Sequence, residues 1–275
     1  MPELPEITNR AKEMKGALVG RRITTIDVIQ PKSLNLSKKK FITTLAGAEI
    51  LDVSNRGKWI FVETDNGWLL LNLGMGGEIL LVPCDELPEK HRVVFEFDDS
   101  QCLSINFWWF GYVHYVPSDR LDEHKMTAKL GPNALDLSIE DLQEMIQGRR
   151  GRVKSFLLDQ SKMAGIGNAY VHDILFIAGL HPLRTLDTLS EGEIERLADG
   201  IQRGLAPSLE KGGAFYEVSI YGKRGGFVGE DILIGYKEGQ PCPNCGTTIE
   251  KIKTGSTSSF ICPGCQPEAG GANPK

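Results

Sequence analysis

The sequence predicts an α+β chain of several domains: an N-terminal helix, an antiparallel β-sandwich or barrel, a helical region, and a small unit built on cysteines. Three observations carry this. Ile7, Ala11, Met14 and Leu18 recur at helical spacing. From residue 23 to about 116, short β-rich runs follow one another with no long helix between them. Four of the six cysteines fall in two close pairs between 242 and 265. A chain of 275 residues has ample material for two or three such domains.

The first helix covers residues 3–18, with Pro5 suited to its first turn and Glu6 to the positive end of its dipole. "ITTIDVI", "EILDVS", "KWIFVET", "WLLLNL", "EILLV", "HRVVFEF", "CLSINF" and "YVHYV" read as strands, with hairpin turns at "TDNGW" and "FDDSQ". After "KLGPNAL" the pattern becomes helical. Ser138 and Ser190 are N-caps followed three residues later by Asp141 and Glu193. "VKSFLLDQ" and "GNAYVHDILFIAGL" are two further helical segments, joined by the Gly-containing turn "SKMAGIG". Residues 212–240 are Gly-rich and irregular, and "PEAGGANPK" reads as a disordered tail.

No stretch approaches eighteen uninterrupted apolar residues, and residues 2–16 carry too many charges for a signal peptide, so a cytoplasmic protein without membrane attachment is expected. The net charge of -5 argues mildly against a nucleic-acid partner. Against that stands "GRRGRVK", where Arg149, Arg150, Arg152 and Lys154 form a basic stripe able to meet phosphate.

Pro2 is the unusual residue of the N-terminus. Once Met1 is removed, it becomes a free secondary amine, and an α-amine titrates near pH 8, well below lysine. Such an amine can attack an electrophilic carbon. Cys242, Cys245, Cys262 and Cys265 form two C-x2-C knuckles across a hairpin, the spacing of a four-thiolate zinc site. With all four positions filled by sulfur, that zinc is structural; two disulfides or free thiols are the alternative. Cys84 and Cys102 are expected to be buried thiols. Gly165 and Gly167 turn the chain so that Asn168 begins a helix, where exposed N–H groups and the side-chain amide suit a phosphate or simply cap the helix. Lys58 starts a strand, Met75 lies on a Gly-flanked loop where an apolar side chain could wedge between bases, and "FWWFG" cannot bury all its aromatics on one face.

Taken together, "PELPE", "RGK" at Lys58, "LGM" at Met75, "GPNAL", "DQSKMAGIGNAY…HP" and the terminal cysteine hairpin occur in an order that resembles the formamidopyrimidine-DNA glycosylase and endonuclease VIII family. The resemblance runs from residue 2 to about 266. It implies a β-sandwich domain (1–130), a helix–two-turns–helix domain (131–235), a zinc finger (236–266) and a tail (267–275), with DNA in the cleft between the first two. It further implies a bifunctional glycosylase and abasic-site lyase of base-excision repair, acting as a monomer on double-stranded DNA with damaged bases or abasic sites. Pro2 would be the nucleophile, Glu3 the general acid on the sugar ring oxygen, and Lys58 a group at the reaction centre. Glu6 would lie near the base pocket, Met75, Trp109 and Phe110 would fill the stack, and Lys154, Asn168, Lys253 and Thr257 would face phosphate. A non-catalytic binder of damaged DNA, or an RNA-associated protein using the same modules, remains open at this point.

Three departures bear on substrate. The family usually has Arg-Arg-Phe where this chain has Trp108-Trp109-Phe110, and Trp cannot make a bidentate contact with a base edge. The finger tip "TGSTSSF" has Thr257 about where the family places an arginine, and the segment before the finger is longer than in the best-known members.

Overall fold

Glu3 stops the extended N-terminus and caps helix α1 (Leu4–Leu18): its side chain accepts the Glu6 N–H while the Glu6 carboxylate accepts the Glu3 N–H, a reciprocal pair that closes the first turn. The apolar stripe of α1 then packs into the sandwich core, with Ile7, Ala11, Met14 and Leu18 all buried there. These positions come from a computed structural model that describes residues 1–108, 110–255 and 257–268. The chain divides into two units, Met1–Lys129 with Lys211–Gly226, and Leu130–Glu210 with Phe227–Lys275.

Among the described residues, the first unit holds eight strands in two antiparallel sheets, as the series of short β-rich runs predicts. One sheet orders β1 (Ile23–Val28), β6 (Val93–Phe97), β7 (Gln101–Asn106) and β5 (Glu78–Pro83). The other orders β2 (Ile50–Arg56), β3 (Trp59–Thr64), β4 (Gly67–Asn72) and β8 (Tyr112–Val116). The β3–β4 hairpin turns at Asp65-Asn66 with Thr64 opposite Gly67, and the β6–β7 hairpin turns at Asp98–Ser100. Their inward residues, among them Ile60, Val62, Leu69, Leu71, Phe95, Leu103 and Ile105, make one continuous core. A short helix, α2 (Lys38–Leu45), interrupts the strand series; Ser37 caps it, and Phe41 and Leu45 bury its inner face.

Two expectations for this unit are corrected. Cys84 and Cys102 are joined in a disulfide rather than free. The β5–β7 pairing sets Val82 opposite Cys102 and brings the two cysteine Cα atoms to 5.0 Å. Residues 211–226, expected with the helical domain, belong to the first unit. The Glu6 carboxylate accepts the Ala214 N–H at 3.1 Å, the Glu13 carboxylate accepts the Ile220 N–H at 3.0 Å, and Ile220 lies in the sandwich core.

The second unit contains α3 (Ile139–Ile146), α4 (Val153–Leu158), α5 (Val171–Ile177) and α6 (Glu191–Glu210). Ser138 and Asp141 cap α3 reciprocally, and Ser190 and Glu193 do the same for α6. α5 and α6 approach closely because α6 presents glycines: a Cβ on Gly200 would stand 2.6 Å from the Ile174 carbonyl oxygen, and one on Gly204 2.6 Å from the Ile174 side chain. The turn between α4 and α5 is tied from inside by Gln160, whose amide donates to the carbonyls of Leu158 and Ile166 and accepts the Gly165 N–H. The cysteine hairpin, β9 (Glu250–Thr254) with β10 (Thr257–Ile261), groups with this unit rather than standing apart, and Phe260 and Ile249 share a buried cluster with Phe176 of α5. Among the described residues, no helix is long and apolar enough to cross a membrane. The tail expected over 267–275 falls largely on residues 269–275, which lie outside the described residues.

Candidate active site

The capping of α1 does more than start a helix: it places Pro2 and Glu3 in a buried position beside a lysine. Pro2 is buried next to an exposed Met1. The Glu3 carboxylate lies 3.8 Å from Lys58 Nζ, with both side chains largely enclosed. Lys58 does not begin a strand. It stands in the turn between β2 and β3, behind Gly57, whose φ of +55° is the left-handed conformation such a tight turn requires. Its carbonyl is held by the Asn72 amide at 2.9 Å, so the β4 end steadies the lysine that faces Glu3.

Glu6 is also buried, and both its carboxylate oxygens are engaged by main-chain N–H groups, from Glu3 at 2.9 Å and Ala214 at 3.1 Å. It therefore joins the Pro2–Glu3 turn to the 211–226 segment. A Cβ on Gly213 would stand 3.0 Å from the Glu6 side chain, which shows how closely the segment lies on α1. Arg10 and Glu217 extend this arrangement and are residues that sequence reasoning missed. Arg10 is 1 % exposed; it donates to the Glu6 carbonyl at 3.2 Å and its other terminal nitrogen lies 3.9 Å from the Glu217 carboxylate. The signal was present, because Arg10 is three residues after Ile7 and four before Met14, on the apolar stripe.

Exposed apolar residues gather on the loops after β4 and β7. Met75, Trp108 and Phe110 are 51 %, 72 % and 68 % exposed. The Trp108 N–H donates to the Met75 carbonyl at 3.1 Å, and a Cβ on Gly76 would stand 2.9 Å from the Trp108 ring, so the indole lies over that glycine. Phe110 has φ of +58°, a costly conformation for an aromatic residue and one that clusters at functional sites. Trp109, the expected stack-filling residue, lies outside the described residues. Trp108 was not singled out as a site residue, and it is the indole that the structure brings beside Met75.

In the second unit the expected phosphate-facing residues separate. Arg149, Arg150 and Arg152 are exposed, whereas Lys154 is 3 % exposed and turned inward. Its ammonium donates to the hydroxyls of Thr254, Thr257 and Ser259 and to the Ser258 carbonyl, at 2.8 to 3.2 Å. Burial lowers its pKa to about 8. Lys154 thus ties α4 to the hairpin tip and has no free face for phosphate. Thr257 shares that ammonium, while Lys253 projects from β9 into solvent. Asn168 lies in the turn before α5, which starts at Val171; its side-chain oxygen is buried without a hydrogen-bond partner, and its carbonyl accepts from the Tyr236 hydroxyl. Lys154→Met is expected to leave zinc in place while the hairpin tip loses order at a cost of roughly 1–3 kcal/mol, since three hydroxyls and a carbonyl lose a charged donor. Thermal unfolding with a parallel zinc assay measures both effects.

Cys242, Cys245, Cys262 and Cys265 bring their sulfurs within 4.8 Å of one another. The separations of 3.4 Å (Cys245–Cys262), 3.5 Å (Cys245–Cys265) and 3.8 Å (Cys242–Cys265) approach the edge of a tetrahedron with metal–sulfur bonds of about 2.3 Å, roughly 3.8 Å. Four soft thiolates with no open position fit one structural zinc, which supplies folding rather than chemistry.

A buried Pro2–Glu3 turn facing Lys58, with a helical unit and a four-cysteine finger, marks a DNA glycosylase. Profiles of the formamidopyrimidine-DNA glycosylase N-terminal domain, the helix–two-turns–helix domain of the same enzymes, and the zinc finger found in these enzymes and in IleRS match residues 1–106, 130–219 and 239–267. The formamidopyrimidine-DNA glycosylases of Roseiflexus sp. and Magnetococcus marinus are each 36 % identical to the chain, covering 97 % of it and 100 % and 99 % of their own lengths. A crystal structure of a Lactococcus lactis Fpg mutant with DNA containing Fapy-dG superposes with a TM-score of 0.88 at 29 % identity, covering 97 % of this chain and all of that one. A MutM complex with DNA containing carbocyclic 8-oxo-G gives 0.87 at 28 % identity, with the same coverage. The chain belongs to the formamidopyrimidine-DNA glycosylase family.

Proposed function

We propose that this DNA glycosylase and abasic-site lyase removes oxidised bases from double-stranded DNA with Pro2 as its nucleophile. The observation that carries the reading is the buried turn in which Pro2 precedes Glu3 and Glu3 faces Lys58 at 3.8 Å. Removal of Met1 frees the secondary amine. Its lone pair forms a bond to C1′ as the bond from C1′ to the base breaks, and the amine proton leaves with the base. Glu3 then protonates the ring oxygen as the C1′–O4′ bond breaks, giving an open-chain iminium and a Glu3 carboxylate beside Lys58. The iminium acidifies C2′–H, so loss of that proton expels the 3′ phosphate by β-elimination, and δ-elimination removes the 5′ phosphate.

C1′ is out of reach in a stacked duplex, so the nucleotide has to be extruded. Met75, Trp108 and Phe110 are the apolar side chains suited to filling the vacated stack. Asn168, Lys253 and Thr257 are assigned to backbone phosphate, together with the exposed arginines 149, 150 and 152. Relatives solved with DNA containing Fapy-dG, carbocyclic 8-oxo-G or an abasic site support the substrate class. On this reading the protein works in the cytoplasm, on the nucleoid.

Borohydride trapping on abasic and oxidised-base duplexes tests the mechanism. A covalent protein–DNA adduct is expected with the processed chain and none with Met1 retained, which makes the Pro2 nitrogen an amide. An adduct of equal yield with Met1 retained would move the nucleophile elsewhere.

A further inference from the structure

We propose that Asn72 is a positioning residue that registers the Lys58 turn against the loop presenting Met75, so that one buried amide sets both the reaction centre and the side chain that fills the vacated stack. The inference rests on the proposed roles of Pro2, Lys58 and Met75 and adds a residue to that site.

Asn72 is the last residue of β4 and is 9 % exposed. Its amide nitrogen donates to the Lys58 carbonyl at 2.9 Å, and its amide oxygen accepts the Gly74 N–H at 3.1 Å. A backbone carbonyl only accepts and a backbone N–H only donates, so the two partners fix which way the amide faces. They also account for the residue type. Aspartate has two acceptors and would set an oxygen against the Lys58 carbonyl, and an aliphatic side chain would leave both groups unmet. Asparagine holds one donor and one acceptor in a single rigid plane and meets both.

The two bonds act on different elements. The first fixes the peptide that follows Lys58, and with it the direction in which the lysine leaves the β2–β3 turn toward Glu3, 3.8 Å away. The second closes a two-residue Asx turn directly after β4. Gly74 has φ of +53°, and a Cβ on Gly77 would stand 2.0 Å from the Leu73 carbonyl oxygen, so the loop is drawn tight at both ends. Met75 lies between these glycines, and its carbonyl takes the Trp108 N–H at 3.1 Å. Its backbone is therefore held by Asn72 through Gly74 on one side and by Trp108 on the other, while its side chain stays exposed. The sheet does not depend on this amide alone. Tyr112, opposite Asn72 in the β4–β8 pairing, stacks on Trp59 with ring centroids 5.8 Å apart, which ties β3 to β8 independently.

Two substitutions separate the bonds. Asn72→Ser leaves a hydroxyl that can accept the Gly74 N–H, as serine does in such turns, but is too short to reach the Lys58 carbonyl. Asn72→Ala loses both. The experiment uses zinc-loaded, Met1-processed full chain, with thermal unfolding to verify the fold. Single-turnover borohydride trapping on an abasic duplex reads the chemistry. A duplex with a non-cleavable tetrahydrofuran site flanked by 2-aminopurine, whose fluorescence changes when a side chain enters the stack, reads the loop; Met75→Ala sets its baseline. Asn72→Ser is expected to keep the fluorescence change and to slow trapping about three- to tenfold, the worth of one neutral hydrogen bond. Asn72→Ala should slow trapping at least as much and also lose the fluorescence change toward the Met75→Ala level. Trapping by Asn72→Ser at the parent rate, or a fluorescence loss as large in Asn72→Ser as in Asn72→Ala, would reduce the residue to packing and overturn the inference, with Pro2 untouched. A parent protein that does not trap at all would overturn the Pro2 mechanism itself, and the inference with it.

Discussion

Glu3→Gln is expected to slow base excision by about 10²- to 10⁴-fold, the range a positioned general acid contributes, while leaving the fold in place. The substitution separates chemistry from structure because Glu3 has a structural duty and, on the proposed mechanism, a chemical one. As the cap of α1 its side chain accepts the Glu6 N–H, and a glutamine carbonyl can do the same. As the acid it must carry a proton to the sugar ring oxygen, which an amide cannot do. Lys58 would lose the carboxylate 3.8 Å away and keep a largely enclosed charge without it, so a modest fall in thermal midpoint accompanies the kinetic loss. Single-turnover release of an oxidised base, measured beside thermal unfolding, reads the two effects separately. Excision within tenfold of the parent rate would remove Glu3 from the acid role. A shorter carboxylate, Glu3→Asp, tests reach: it retains the acid but withdraws it by one methylene.

The division between what the sequence revealed and what it concealed is one of range. Strands β1 to β8 were legible because each is a short β-rich run, and the two hairpin turns carry their own turn residues. Helix α2 was missed although Ser37, Phe41 and Leu45 mark it, because three consecutive lysines obscured its short apolar face. The zinc site was legible because its four ligands lie in two local pairs. Contacts across long separations left no local trace. Nothing near Cys84 or Cys102 shows that β5 and β7 are neighbours, and nothing near Ala214 shows that it meets Glu6, 208 residues earlier.

The same limit explains Lys154, which the structure turns inward, and Arg10, which the sequence did not single out. Lys154 belongs by sequence to a basic stripe, and the stripe is exposed except at this position. Its acceptors, Thr254, Thr257, Ser258 and Ser259, are 100 to 105 residues away and become a cradle only when the hairpin folds against α4. Arg10 is one more charge on an amphipathic helix until Glu217 is brought opposite it. In both cases a buried cation is the consequence of a segment returning from far along the chain, and buried charges are retained only where partners meet them.

Removal of zinc, by chelation or by Cys262→Ser, is expected to unfold the hairpin of residues 239–267 and to abolish measurable specific binding of abasic DNA. The hairpin has few apolar side chains to order it: Ile249, Phe260, Ile261 and the cysteines Cys242 and Cys262 are its buried hydrophobic residues, helped by Phe176 and Ile234 outside it. A core of that size does not hold a segment of this length without a staple. Zinc in comparable peptides contributes about 10–16 kcal/mol of apparent binding free energy, which becomes folding free energy here. With the hairpin lost, Lys154 has no acceptors and its ammonium turns to solvent, so α4 loses its tie to the tip as well. The sandwich of the first unit has its own core and should keep its thermal transition. Zinc content, the unfolding profile and salt-dependent DNA affinity, measured on the same chelated sample, test this. Full affinity after zinc loss would place DNA binding on the helical turns and the arginines at 149, 150 and 152 alone.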